Sequence, residues 1–549
     1  MEAEDTDVIF LWGSNARETH PIFFHHVLKG IHNGATLISV DPRRTASAQW
    51  ADSWLPINIG TDIALSHAIA REIIHAGLTN ESFIKNATSG YEAYAASVEP
   101  FTLEYAERET GIPAEQIKSV AHLYARADRA MICWTLGITE HHNAVDNVVS
   151  LINLSLLCGH IGKYGSGVNP LRGQNNVQGG GDMGAIPNRF VGFQDILDPA
   201  MCKKFSDAWG VPQKNEYGMT LTQMFDAMDR GALKSVFIIG ENPVQSDADQ
   251  NHTEHALKGL DHLVVFDIFR TQTAELADVL LPSASGWCES DGTVTNSERR
   301  VQRIRKALEP PGDARNELWV ISEIAKRLGT DWGHPTAEEV WNEVRVLGDH
   351  MFGGMSYARL EELNGLQWPC PDESHPGTMF CHGRLWEEPV GGMLAPFSVV
   401  AHELPLEAPD AEYPFTLTTG RRLSDYNTGV QSGGFDSPLR RTESIDMFPA
   451  DAARIGVTEN QLVRISSRRG SIVAPIRIDP TLKAGIVFMT FHFGDEYSVN
   501  RLTINATDIR SGTAEFKACA VKLEPLSVGH DVEAREAQPI PREVAAVGD

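Results

Sequence analysis

Two stretches far apart in the chain carry the same order of apolar and polar positions. Residues 9–15 read IFLWGSN and residues 236–242 read VFIIGEN, each an apolar run that stops at a glycine, Gly13 or Gly240. Such a run, closed by a turn residue, predicts a buried strand entering a tight turn. A second apolar run follows each one and ends in aspartate: ATLISVD at Asp41 and HLVVFD at Asp267, 28 and 27 residues beyond the glycine. That separation suits a strand–helix–strand unit. In the first copy Pro21 starts the connecting helix and Asn33-Gly34 stops it. The match then continues through DPRRTASAQWADSWLPINIG and DIFRTQTAELADVLLPSASG, which share D-x2-R-T-x5-A-D-x2-L-P-x3-G. Eight positions fixed at identical spacing predict two related α/β units in one chain.

A glycine at the carboxyl end of the first strand lets a nucleotide approach the main chain, and the helix N-terminus beyond it favours phosphate. An acid ending the second strand can accept hydrogen bonds from ribose hydroxyls. Arg43, Arg44 and Arg270 can fork onto phosphate oxygens. Two units therefore predict two nucleotide moieties; the alternative is a duplicated unit that binds nothing. The full G-x-G-x-x-G fingerprint is absent from both copies, so neither reads as an NAD site.

Elsewhere, apolar spacing predicts helices over 62–75, 114–127 and 142–158. His141-His142 and His25-His26 are adjacent pairs whose side chains leave a helix in different directions, so no metal is expected at either. Residues 167–187, GVNPLRGQNNVQGGGDMGAIP, hold six glycines among Asn and Gln and read as a long polar loop, which is usually functional. Arg172 is its one cation, able to clamp a carboxylate or phosphate or to make a structural ion pair. Residues 289–303 read as a turn and an exposed strand, 313–328 as a helix, and 350–410 as an irregular connector. From Tyr413 the chain turns strand-like and predicts a small β-barrel. The expected domains are 1–174, 175–400 and 405–526, with a solvated tail at 527–549.

A chain of 549 residues exceeds one core. Hydrophobic residues at 42% and charged residues at 22% suit a soluble globular protein, and no apolar run is long enough to span a membrane. A formal net charge of −26 argues against a nucleic-acid surface, though it leaves room for a local basic pocket. The seven cysteines are scattered, with no CxxC pair, which fits buried thiols in a reducing compartment better than a cluster or disulfide framework. The start, MEAEDTDVIF, lacks a signal-type stretch and enters a strand almost at once, so the natural protein is expected to begin earlier.

Seven ordered motifs carry a resemblance over residues 7–525: GSNARETHP (13–21), VDPRRT (40–45), GVNPLRGQNNVQG (167–179), IGENP (239–243), LPSASGWCESDGTVTNSERRVQR (281–303), LTTGR (417–421) and EFKACAV (515–521). Together they resemble formate dehydrogenase alpha subunits, molybdopterin oxidoreductases of the dimethyl sulfoxide reductase family. The resemblance implies two Rossmann-like nucleotide-binding units and a C-terminal barrel of double-psi type. It implies a bis-(molybdopterin guanine dinucleotide) holding molybdenum or tungsten, which would supply the two nucleotides. Gly13, Asn15, Asp41, Arg43, Gly60 and Asp62 would line one guanosine site, and Gly240, Glu241, Asn242, Asp267 and Ser283 the other. Gly137, Gly173 and Gln174 would lie near the pterin, while Gly420, Arg421, Asn500 and Lys517 would contribute from the barrel. Arg172 matches the arginine that orients formate beside the metal.

Two departures stand out. The family's N-terminal section, with its 4Fe–4S cluster, the cysteine or selenocysteine ligating the metal, and the histidine after it, has no counterpart here, so this chain alone is expected to be inactive. In addition, RRLSDYNTG carries Asp425 and Asn427 where many relatives have histidines. The leading expectation is oxidation of formate, in the cytoplasm, with electrons passed to a partner such as an NAD-linked diaphorase or a ferredoxin-like protein. A non-catalytic scaffold within an electron-transfer complex, or another molybdenum oxidoreductase such as an assimilatory nitrate reductase, are the alternatives.

Overall fold

The first repeat builds the wider sheet. Strands β1 (Val8–Trp12), β2 (Thr36–Val40) and β3 (Ser53–Leu55) run parallel, and helix α1 (Pro21–His32) crosses between β1 and β2. Strand β4 (Ala130–Trp134) takes the other edge of β1, and β5 (Gly167–Pro170) lies beyond it, giving the order β3-β2-β1-β4-β5. Every residue of β1 is buried. The pleat sends Ile9 and Leu11 to Phe24 and Val27 of α1. It sends Phe10 and Trp12 to a larger core under α2 (Asp62–His75), α3 (Ala114–Arg126) and α4 (Ala144–Cys158). Burial of side chains this size stabilises by ~1.5–3 kcal/mol each. The computed structural model describes residues 2–286, 288–425, 427–429, 443–494 and 497–526; the expected tail at 527–549 lies outside them.

Residues 167–187 are not one loop. They contain β5 and a short helix, α5 (Val177–Asp182), in which Asp182 is buried and accepts from Trp368 Nε1 at 2.8 Å. A helix with three consecutive glycines has no apolar stripe, so periodicity could not reveal it.

The second repeat forms a separate sheet. Helix α6 (Leu221–Asp229) leads to β6 (Ser235–Ile239), then α7 (Gln250–Lys258), β7 (His262–Asp267) and β8 (Val279–Pro282). The strands are parallel in the order β8-β7-β6. The shared pattern D-x2-R-T-x5-A-D now has a cause: Asp52 Oδ2 accepts from Leu37 N at 2.9 Å, and Asp278 Oδ2 accepts from Leu263 N at 2.7 Å. Thr45 and Thr271 each accept from the amide three residues on.

Residues 289–303 fold as an antiparallel hairpin of β9 (Gly292–Thr295) and β10 (Arg300–Ile304) rather than one exposed strand. The helix expected over 313–328 starts at Glu317, because Asn316 Oδ1 caps it by accepting from Trp319 N at 2.8 Å. Residues 383–398 return to the first unit. Leu385 and Phe397 join its core, and Phe397 N donates to Ser89 O at 2.8 Å.

The C-terminal part closes into a six-stranded barrel of β11 (Phe415–Gly420), β12 (Ile445–Met447), β13 (Leu462–Ser466), β14 (Ser471–Ile478), β15 (Ile486–Thr490) and β16 (Cys519–Pro525). Its order is β11-β15-β12-β14-β13-β16. Strand β12 escapes sequence pattern because it is three residues long and carries Asp446, which is fully buried. Arg422 donates to Asp446 Oδ1 at 2.6 Å and Arg477 donates to Oδ2. Asp446→Ala would leave the buried Arg422 guanidinium with only the longer 3.8 Å contact to Asp425, so a loss of about 3 kcal/mol is expected in denaturant titration; a loss under about 1 kcal/mol contradicts it.

Candidate functional site

The carboxyl ends of β1, β2 and β4 and the open end of the barrel enclose a cavity of about 260 Å³. Main chain forms its floor. Gly13, at φ +57°, donates to Val40 O at 2.8 Å, while its own carbonyl accepts from Thr135 Oγ1 at 2.7 Å and Gly137 N at 3.1 Å. A Cβ on Gly13 would lie 2.7 Å from the Gly137 carbonyl carbon, and one on Gly137 would lie 2.5 Å from Gly13 Cα. Only glycine at both positions lets the two turns meet.

Asn15 fixes the first turn. Its Oδ1 accepts from Ser47 N at 3.2 Å and Ser47 Oγ at 3.1 Å. The second repeat makes the same lock, with Asn242 Oδ1 accepting from Thr273 N at 3.1 Å and Thr273 Oγ1 at 2.8 Å. Sequence reading overlooked the hydroxyl partner, although Ser47 and Thr273 both stand six residues after the repeat aspartate.

Asp41, Arg43, Gly60, Asp62, Gly173 and Gln174 also line the cavity, with Gly420, Arg421 and Lys517 from the barrel. Burial pushes the Asp41 and Asp62 carboxyls above their ordinary values, opposed by Arg43 at the first and His141 at the second. Asp62 still accepts from Trp12 Nε1 at 2.8 Å. The Arg43 guanidinium stacks 3.6 Å from the Phe488 ring centre. Lys517 is buried with Nζ 2.6 Å from Glu140 Oε2 and donating to Thr419 O at 3.0 Å. Burial draws its pKa down while Glu140 resists. Asn427 Oδ1, at one of the departures from the family pattern, accepts from Arg421 Nε at 2.7 Å and also lines the cavity.

This donor set suits a ligand with ribose and phosphate groups. Buried carboxylates accept from hydroxyl or amine protons, the cations face anionic oxygens, and the bare glycine floor allows close approach. Sequence reading missed His20, Glu140 and His141 as lining residues. It also missed Glu515, only two residues before Lys517. Glu515 Oε1 lies 3.3 Å from His141 Nδ1, and its Oε2 lies 3.6 Å from His142 Nδ1 and accepts from His142 N. Among the described residues, no group of three or more His, Cys, Asp or Glu is arranged to hold a metal ion.

Arg172 sits between the lining residues Leu171 and Gly173. Its amide donates to Ser297 Oγ at 3.2 Å and its carbonyl lies 2.8 Å from His20 Nε2. The charge of Asp182 acts on the guanidinium without a direct ion pair among the described residues, and its buried Nε has no acceptor. Burial lowers the Arg172 pKa, but a guanidinium stays charged.

The residues expected for a second nucleotide lie outside this cavity. Gly240 opens its turn at φ +64° and donates to Phe266 O at 2.8 Å. Glu241 accepts from Ser246 Oγ at 2.5 Å, and burial, reinforced by Glu241, raises the Asp247 pKa. Asp267 Oδ1 accepts from Ile268 N at 2.6 Å. Ser283 Oγ is committed to Glu317 at 2.8 Å, and Arg270 is an exposed partner of Glu275. Asn500 is fully buried and donates to Gln245 O at 2.8 Å, so it ties the second unit to the barrel instead of facing a ligand. Gln245 Nε2 donates in turn to His492 O at 3.2 Å. Both α/β units thus rest on one barrel.

Residues 2–327 match the family described as Molybdopterin oxidoreductase, and residues 415–520 match the Molydopterin dinucleotide binding domain. The chain is 40% identical over 531 residues to F420-dependent formate dehydrogenase 1 subunit alpha of Methanococcus maripaludis, spanning 96% of this chain and 77% of that protein. It is 42% identical over 528 residues to F420-dependent formate dehydrogenase subunit alpha of Methanocaldococcus jannaschii, spanning 95% and 77%. Acetylene hydratase from Pelobacter acetylenicus shares the fold, with a TM-score of 0.71 at 19% identity over 95% of this chain and 78% of that one. Among the described residues no helix is long and apolar enough to cross a membrane.

Burial works against a charged His141, but the Glu515 carboxylate outweighs it and holds the His141 pKa above its ordinary 6.5; the hydrogen bond to Glu515 raises His142 likewise. Protons bound more tightly in the folded state stabilise it fully below pH 6.5, and that stability is lost as pH rises through the elevated values. Denaturant midpoints should therefore fall as pH rises above 6.5 in the native protein. Glu515→Gln should remove that slope, and an unchanged slope in the variant contradicts the assignment.

Proposed function

The chain belongs to the molybdopterin oxidoreductase family, and from that membership we propose that it binds a bis-(molybdopterin guanine dinucleotide) carrying molybdenum or tungsten and serves to oxidise formate to carbon dioxide. Near-full-length identity to formate dehydrogenase alpha subunits carries this reading. Gly13, Asn15, Asp41, Arg43, Gly60 and Asp62 would hold one guanosine end. Gly240, Glu241, Asn242 and Asp267 would hold the other. Gly137, Gly173 and Gln174 would meet the pterin, with Gly420, Arg421 and Lys517 on the barrel side. The glycine floor, the buried acceptors and the three cations fit such a group.

When bound, the metal–pterin group supplies the two-electron redox change; formate leaves as carbon dioxide, one proton and two electrons. This chain contributes binding and orientation. The Arg172 guanidinium, whose buried Nε has no acceptor among the described residues, would hold the formate carboxylate bidentately. Electrons would pass to a separate electron-transfer partner. A cytoplasmic setting agrees with seven cysteines that all remain free thiols.

Formate-dependent viologen reduction by the metal-loaded chain joined to the family's N-terminal section, with its electron-transfer partner, tests the reading. Arg172→Gln should lower kcat/KM by about 10²–10³-fold at unchanged metal and pterin content. Arg172→Lys should recover only part, because an ammonium lacks the planar fork. Full activity in Arg172→Gln, or turnover of nitrate in place of formate, contradicts it.

A further inference from the structure

Arg172 and Asp182 stand at the two ends of one stretch that is fastened to the hairpin of β9 and β10. Arg172 N donates to Ser297 Oγ at 3.2 Å in the turn of that hairpin, and Thr295 N of β9 donates to Asn176 Oδ1 at 2.9 Å. The guanidinium and the carboxylate therefore share one support. Asp182 is fully buried, and each of its oxygens is already engaged. Oδ1 accepts from Gln178 Nε2 at 2.7 Å, and Oδ2 accepts from Trp368 Nε1 at 2.8 Å. Arg172 differs, since its buried Nε has no acceptor among the described residues.

A buried carboxylate beside a buried guanidinium ordinarily closes into a bidentate pair. Here each feels the charge of the other, yet among the described residues they form no direct ion pair. Gln178 and Trp368 hold the carboxylate back. The segments packed on α5 bring no charge to it: they read GTVT at 292–295 and VGF at 191–193. His20 reaches the Arg172 carbonyl rather than the guanidinium. Burial pushes the Asp182 carboxyl up to about 6, against the pull of Gln178, Trp368 and Arg172. A direct pair would fill the fork that an anion needs, and a site with no carboxylate would leave a buried cation uncompensated. A carboxylate held at a short remove avoids both.

We propose, on the reading of Arg172 as the substrate's partner, that Asp182 is a positioning residue for that anion site: pinned out of contact, it leaves the guanidinium fork open and limits how tightly a small anion is held there. The sign follows from the charges. An ionised Asp182 repels an anion at Arg172, and a proton on Asp182 removes the repulsion. Affinity for a small anion therefore rises as pH falls through about 6. A carboxylate released from its restraints would instead reach the guanidinium, compete with the anion and weaken its binding.

Broadening of the formate proton resonance, titrated against the purified chain, gives the dissociation constant; the part lost in Arg172→Gln is the part bound at Arg172. Asp182→Asn removes the charge and keeps both contacts, because Gln178 can turn its amide to accept from the new Nδ2–H. Gln178→Leu keeps the charge and frees Oδ1. At alkaline pH Asp182→Asn should bind formate about tenfold more tightly than the native chain, and Gln178→Leu about threefold or more weakly. As pH falls through about 6 the native affinity should rise, while that of Asp182→Asn stays level. A purely structural role would weaken both variants alike and leave the slope in place. Equal or weaker binding in Asp182→Asn, a slope that survives in it, or unweakened binding in Gln178→Leu overturns the proposal. Where Asp182→Asn does not fold, the native slope and the sign for Gln178→Leu decide. Nitrate, followed by its nitrogen resonance, separates this from the proposed function. If nitrate keeps the predicted order while formate does not bind at Arg172, the role of Asp182 stands and the formate reading fails. If the binding of neither anion depends on Arg172, the role of Asp182 falls.

Discussion

Gly13 and Gly240 each follow a parallel strand at positive φ and each donate to a carbonyl near the end of the neighbouring strand. That bond sets where the sheet opens, and the rest of each unit is arranged around it. The Asn15–Ser47 and Asn242–Thr273 locks hold the turn against the loop beyond the second strand. On the first side the Gly137 turn then closes over Gly13 to leave a floor of main chain. Side chains at either glycine would separate the turns and remove the floor.

Charge is organised locally, against the overall balance. The chain carries a formal −26, yet Arg43, Arg421 and Lys517 converge on one cavity with Asp41 and Asp62. The same burial raises the carboxyls and lowers the ammonium, so each charged form there depends on a partner. Glu515 shows how that dependence is met inside the protein: it sits against both His141 and His142 and fastens the barrel to the first unit.

The repeat was legible in the sequence because its spacing reflects backbone bonds, such as Asp52 and Asp278 accepting from the second amide of a strand. The barrel was legible in outline from alternating runs, apart from β12, whose Asp446 is held by arginines distant in sequence. Helix α5 was hidden by its glycines, and the return of residues 383–398 to the first core is a long-range contact that leaves no local pattern. At the cavity, Gly13, Asp41 and Arg43 could be named because nucleotide chemistry demands those types, whereas Gly60, Asp62, Gly137, Gly173 and Gly420 came only from the family resemblance. Asn500 could not be judged, since a buried amide tying two units reads like one that meets a ligand.

The central claim is that two copies of one unit, resting on a shared barrel, each hold one guanosine end of a single metal-bearing cofactor. Acid hydrolysis of the purified, metal-loaded protein, with GMP counted against molybdenum and tungsten, tests it most directly. Two GMP for every metal atom is the predicted result; one GMP for each metal atom, or none, would contradict it.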